Sequence, residues 1–142
     1  MGIGIILALG AALSWGIVYA LDQKILIELS PSTLLFLYSV TSAVLLLPFV
    51  LLDRNVVAQI TTLSRETALY VGLSLVLSLI ANALVLYSIQ NLGAPTAAML
   101  EITYPIFVVL AVLVLFKTVP SPFVLLGGAV ILIGAMIVTY YA

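Results

Sequence analysis

Apolar residues run along this chain in stretches of about 20, the length needed to cross a bilayer core as a helix. Short polar, proline and glycine breaks divide the chain into five such stretches. The pattern predicts spans near 3–28, 32–51, 68–89, 95–117 and 122–141. The first is stopped by Ser30-Pro31, the second by Leu51-Leu52-Asp53-Arg54 and the third by Gln90-Asn91-Leu92-Gly93. Pro95 opens the fourth at a first-turn position, where its missing N–H costs nothing. Pro120-Ser121-Pro122 introduces the fifth. The predicted fold is all-α, an integral membrane bundle of five transmembrane helices forming a single domain over residues 1–142. Three of the connections are so short that consecutive helices are expected to be antiparallel neighbours. The fourth, 52–67, is longer. Val56 or Val57, Ile60 and Leu63 recur there at helical spacing, which predicts a short helix lying in the membrane interface.

Composition agrees with the pattern. The chain is 65% hydrophobic and 6% charged, whereas soluble domains are roughly 45–50% apolar and about 25% charged. The first apolar run has no basic segment before it and outlasts the roughly 7–15 residues of a signal-peptide core, so it is expected to stay as a membrane helix. A net charge of −1 gives no basic field for nucleic acid. The absence of cysteine and histidine removes disulfides and the usual metal ligands, and leaves proton handling to carboxylates. No phosphate-cradling glycine loop or nucleophile–base pairing is present; Gly2-Ile3-Gly4 lies in a membrane span. No cofactor, no metal and no enzymatic activity are expected.

The few charges orient the bundle. Arg54, Arg65 and Lys117 fall in connections on the side of the N-terminus, while Lys24 lies within the first span. The positive-inside rule then puts the N-terminus in the cytoplasm of a cell whose inner membrane holds the protein.

The polar residues inside the spans carry the functional expectation. At about 1.5 Å per residue, Glu101 sits roughly 10 Å below the outer end of the fourth span, and Asp22 about 12 Å below that of the first. Asn82 in the third span and Ser39 in the second reach a similar depth. An ionisable residue in the membrane costs at least about 2.5 kcal/mol on insertion scales, and function is the usual reason to keep one. Trp15, Tyr19 and Asp22 share a face at i, i+4, i+7. Lys24 lies about 200° from Asp22 and pairs by spacing with Glu28 at i+4. Ala97, Glu101, Tyr104 and Pro105 share a face of the fourth span, small enough at Ala97 for close helix approach. Pro105 cannot donate to the Glu101 carbonyl. Glu101, Asp22, Trp15, Tyr19, Asn82 and Tyr104 are therefore the candidate substrate or proton-binding residues. Four of them have a structural reading beside the functional one: Glu101 as an ion-pair partner of Lys24, Trp15 and Tyr19 as packing, and Asn82 with Ser74 and Ser78 as a helix–helix contact. Gly127 and Gly134, two turns apart, read as packing positions.

The chain resembles a single repeat of the EamA-type family in the drug/metabolite transporter superfamily. The likeness rests on Ser14-Trp15-Gly16, on SPSTLLFLYS at 30–39, on LYSIQNLGAPTAAMLEITYPIFVVLAVLVLFK at 86–117, and on LLGGAVILIGAMI at 125–137. It departs from the family at Thr118, where an acid is common, and at Gln23, where a lysine is common; no role is carried over to either. Glu101 is not a family signature, so its case rests on depth and chemistry. The resemblance implies a secondary transporter subunit that moves small organic metabolites or drugs by alternating access. Family members pair two such repeats in opposite orientation. This chain is accordingly expected to act as a homodimer, antiparallel if so, or as a heterodimer with a second five-helix protein. Its partners would be membrane lipids and a small-molecule substrate, with no nucleic acid. The competing readings are a structural or assembly subunit and a lipid-headgroup flippase subunit.

Overall fold

The computed structural model describes residues 2–53 and 55–141; Arg54, one of the three residues used to orient the bundle, lies outside them. The described residues form α1 (Gly2–Ile25), α2 (Pro31–Leu52), α3 (Val56–Thr61), α4 (Arg65–Leu92), α5 (Ala94–Glu101), α6 (Tyr104–Phe116) and α7 (Pro122–Tyr141). Among them are five stretches long and apolar enough to cross a membrane: α1, α2, α4, the α5–α6 pair and α7. Nearly all their large apolar side chains are exposed in the single chain. That surface suits lipid rather than water, so the protein is an integral membrane protein with an all-α fold.

Three boundaries differ from the sequence expectation, each for a local reason. The first span ends at Ile25 rather than near 28. Ser30 is extended (ψ 151°) because the residue before a proline is pushed out of the helical region, so 26–29 are spent on the turn. Glu28 therefore lies outside α1, and the helical i+4 spacing assumed between it and Lys24 does not exist. The third span is longer, starting at Arg65 because the Ser64 hydroxyl caps it, accepting from the Thr67 N–H at 3.1 Å. The fourth span is not one helix. Its regular bonding is interrupted after Glu101: the Ile102 N–H still reaches the Ala98 carbonyl four residues back at 3.0 Å, but the Thr103 N–H turns to the Leu100 carbonyl three residues back at 3.2 Å. Pro105 causes this, since it has no N–H for the Glu101 carbonyl and its ring crowds the preceding turn. The connection before α4 does contain a short helix, α3.

The chain divides into two compact units, Met1–Ile25 with Ser88–Ala142 and Leu26–Tyr87. In the second, the Ser30 hydroxyl caps α2 through the Thr33 N–H at 3.2 Å. The Ser32 and Tyr87 hydroxyls bond at 3.1 Å and join α2 to α4. In the first unit α5 lies between α1 and α7, and α6 packs on α7. Small residues are prominent among its buried positions: Ala94, Ala97 and Ala135. In a bilayer, helices associate through close van der Waals approach and not by expelling water, which explains alanines at these positions.

Gly127 and Gly134 do not make such contacts within the chain. A Cβ at either would meet no heavy atom within 4 Å. Gly128 does so instead, 3.6 Å from Ile106 of α6. Helical spacing identifies which residues share a face but not which face a neighbour uses.

Candidate functional site

The first unit brings α1 and α5 together along the face that carries Tyr19 and Asp22. Both are buried, Asp22 at 2% exposure and Tyr19 at 8%. Burial of an acid at this level inside an apolar helix pair is costly and marks the seam as more than packing. On α5 the buried residues are Ala94 and Ala97. The absence of bulk on α5 gives the Tyr19 ring and the Asp22 carboxyl room to lie between the helices.

The Tyr19 hydroxyl donates a hydrogen bond to the Glu101 carboxylate Oε2. Glu101 is the last residue of α5, at the edge of the break, and is itself exposed. Its partner is thus a hydroxyl, not the Lys24 ammonium. Trp15, one turn before Tyr19, sets its ring edge against the Tyr19 ring, with centroids 6.0 Å apart and planes at 72°. Such pairs contribute about 0.5–1.5 kcal/mol beyond burial and fix the phenol's orientation. The outer part of Trp15 remains open, at 54% exposure. Asp22 and Tyr104 both lie near enough to the Tyr19 hydroxyl to act on it electrostatically. Tyr104 begins α6 on the far side of the break and is exposed. Ile102 and Thr103, between the two helices, keep right-handed helical dihedrals (φ −58°, ψ −4° and φ −73°, ψ −14°). Tyr104 reaches the site across the gap.

Electrostatics in this corner have one sign. Glu101 and Asp22 contribute carboxyl groups. The C-terminal end of α5 adds the partial negative charge of its outward carbonyls. Pro105 leaves the Glu101 carbonyl without its helical donor. The arrangement can receive a cation or a proton, with a phenol holding one carboxylate and an aromatic wall beside it.

Asn82 belongs to the other unit, and its amide donates to the Ser78 carbonyl of its own helix at 2.8 Å. The Ser78 hydroxyl likewise donates to the Leu75 carbonyl at 3.0 Å, so this stripe serves α4 itself. Ser39 also bonds within its helix, to the Leu35 carbonyl at 2.9 Å. A groove of about 610 Å³ lies beside the break between α5 and α7, lined by Leu100, Thr103, Ala135 and Thr139 among others; none of the acids lines it. Thr103 and Thr139 donate to the Leu100 and Ala135 carbonyls at 2.8 and 2.9 Å.

Sequence reasoning missed Gln23. Its Oε1 accepts a hydrogen bond from the Ala94 N–H at 2.7 Å, tying α1 to the first residue of α5. The signal was present: Gly93-Ala94-Pro95 opens a helix with no side-chain cap of its own, so the Ala94 donor needed an acceptor from elsewhere.

The EamA-like transporter family model matches residues 2–140 of the chain. No curated protein and no solved structure matches it.

Proposed function

The chain belongs to the EamA-like transporter family, and from that premise we propose that it is a secondary transporter subunit that moves small organic cations or amines by alternating access. The observation that carries this is Glu101, placed at the end of a broken membrane helix and held by the Tyr19 hydroxyl beside buried Asp22. Broken helices are where transporters of this general design place binding groups. Glu101 binds the substrate amine or exchanges it for a proton. Asp22 adds negative charge, and Trp15, Tyr19 and Tyr104 form the wall. Asn82 belongs to the other unit and bonds to its own helix, so it has no assigned part in this site.

A pathway of this type forms between two repeats of opposite orientation. These residues supply one repeat, and the second comes from a copy inserted the other way or from a different five-helix protein. Two copies inserted in the same direction cannot produce the inverted pair. Arg54, Arg65 and Lys117 favour an N-terminus in the cytoplasm and an inner-membrane setting.

The test is Glu101→Gln in proteoliposomes containing a pH-sensitive dye, challenged with a panel of primary and quaternary amines. Amine-driven proton movement is expected from the wild type and none from the variant, while both purify as the same species. Normal proton movement by Glu101→Gln would remove Glu101 from the mechanism.

A further inference from the structure

We propose that Gln23 is a positioning residue, an anchor supplied by α1 that holds the N-terminus of α5 and sets the seam in which Tyr19, Asp22 and Glu101 meet. The Gly93 N–H closes α4 on the Ile89 carbonyl at 2.9 Å, and Gly93 then reverses the chain at φ 80° and ψ 156°. Ala94, the first residue of α5, presents an N–H that no residue of α5 can accept. Pro95 follows and offers no donor. Gly93, at the cap position, has no side chain to help. Ala94 is buried, and a buried donor left unmet costs as much as a lost hydrogen bond, so an acceptor must be brought in. Gln23 brings it from 71 residues away in the sequence. The assignment of its amide is settled by chemistry, since only the oxygen can face an N–H donor.

Placement makes this more than a cap. Gln23 lies one turn beyond Tyr19 on α1, about 6 Å along the axis. Ala94 and Glu101 are the two ends of α5, about 10 Å apart. The antiparallel pair α1–α5 is therefore tied at two points: Gln23 to Ala94 at one end and Tyr19 to Glu101 at the other. Asp22 and Ala97 lie buried between the ties. The two ties differ in kind. The Glu101 tie uses a carboxylate that a cation or proton would engage. The Gln23 tie uses a neutral amide and a backbone N–H, and neither responds to ligand or pH. When the Glu101 tie is released, α5 remains held at Ala94 and pivots beside Gly93. Gln23 thus fixes the end about which the short helix moves.

This inference rests on the proposed transport site only for its consequence; the anchor itself is read without transport. The chain has no cysteine, so Ala97→Cys places a single thiol between the two ties. Its reaction with N-ethylmaleimide in native membranes reports how often water reaches the seam, since the thiolate reacts. In the Ala97→Cys background, Gln23→Asn shortens the side chain by one methylene and keeps an amide. It is expected to speed labelling about tenfold, the equivalent of one net hydrogen bond. Gln23→Leu should do the same. Gln23→Glu keeps an acceptor at the same reach and should return labelling to the slow rate, which a general loosening of the fold would not allow. Equal labelling of the Ala97→Cys parent and of its Gln23→Asn derivative would overturn the anchor, and so would failure of Gln23→Glu to restore protection. If labelling follows the prediction while Glu101→Gln transports normally, the anchor stands and the transport reading falls.

Discussion

The bond between Tyr19 and Glu101 can be isolated with a double-mutant cycle. Tyr19→Phe removes the donor but keeps the ring that meets Trp15 edge-on at 6.0 Å. Glu101→Gln keeps an acceptor oxygen but removes the charge. A hydrogen bond to an ionised acceptor contributes about 1.5–3 kcal/mol, and one to a neutral acceptor about 0.5–1.5 kcal/mol. Glu101 is exposed in the single chain, which places the first figure at the lower end of its range. Tyr19→Phe is then expected to cost about 1.5 kcal/mol, Glu101→Gln about 1 kcal/mol, and the double variant little more than Tyr19→Phe alone. The coupling energy should be about 1 kcal/mol. Stability is read by denaturant titration in mild detergent, using Trp15 fluorescence. Trp15 is the one tryptophan of the chain and touches Tyr19, so its signal comes from the seam. Single effects that add to within about 0.5 kcal/mol would show that the two side chains act independently, and the site as drawn would be wrong.

Gly93→Ala should cost about 1–3 kcal/mol in the same titration. The added Cβ has room, 3.6 Å from the Gln23 oxygen, but φ 80° with ψ 156° is a region that glycine alone occupies readily. A neutral substitution would mean that the α4–α5 turn does not require that geometry. Gly127→Ala and Gly134→Ala should leave chain stability unchanged or raise it by up to about 1 kcal/mol, because each Cβ enters open space and alanine is the better helix former. A loss above about 1 kcal/mol, the size of an overpacking defect, would refute the open face. Thr61→Cys, on exposed α3, should react with an impermeant thiol reagent only after cells are permeabilised, as the charge bias requires. Substantial labelling of intact cells would show insertion in both directions.

The five spans were legible because bilayer thickness imposes a length and an apolar character that composition alone reveals. The distance of Glu101 from the start of its span was legible for the same reason, since rise per residue is fixed, but that of Asp22 was not: α1 ends at Ile25, which leaves Asp22 about 4.5 Å from the helix end and not about 12 Å. Rotation was not. Gly127 and Gly134 stand out in sequence by spacing, yet Gly128, beside them, meets Ile106. Asn82 and Ser78 share a stripe, yet their polar groups turn back on their own helix. The contact between Tyr19 and Glu101 joins residues 82 apart, and that between Gln23 and Ala94 joins residues 71 apart. Both depend on how α1 and α5 are turned toward each other, which no local pattern encodes. Pro105 did announce a weakened carbonyl at Glu101. Whether such a proline bends a helix or divides it depends on whether neighbours can satisfy the freed groups.

A backbone group that has lost its helical partner at membrane depth persists only where protein or a water-filled cavity covers it. The break at 102–103 is flanked by Ile102 at 48% exposure and Tyr104 at 58%, with Glu101 exposed beside them. The chain therefore does not cover its own break. Lipid is the wrong neighbour for a carboxylate and a carbonyl that lacks its helical donor. On the proposed arrangement the missing wall would come from the second repeat, with water or substrate in the space between. A cysteine at Ile102 is the direct probe. Oxidative or short bifunctional crosslinking of Ile102→Cys in native membranes should trap a species of twice the mass if the second repeat is another copy. Crosslinking to a different protein of similar size would identify a heterodimer. If Ile102→Cys neither crosslinks nor reacts with a water-borne maleimide, the break faces lipid, and the argument that it lines a pathway fails.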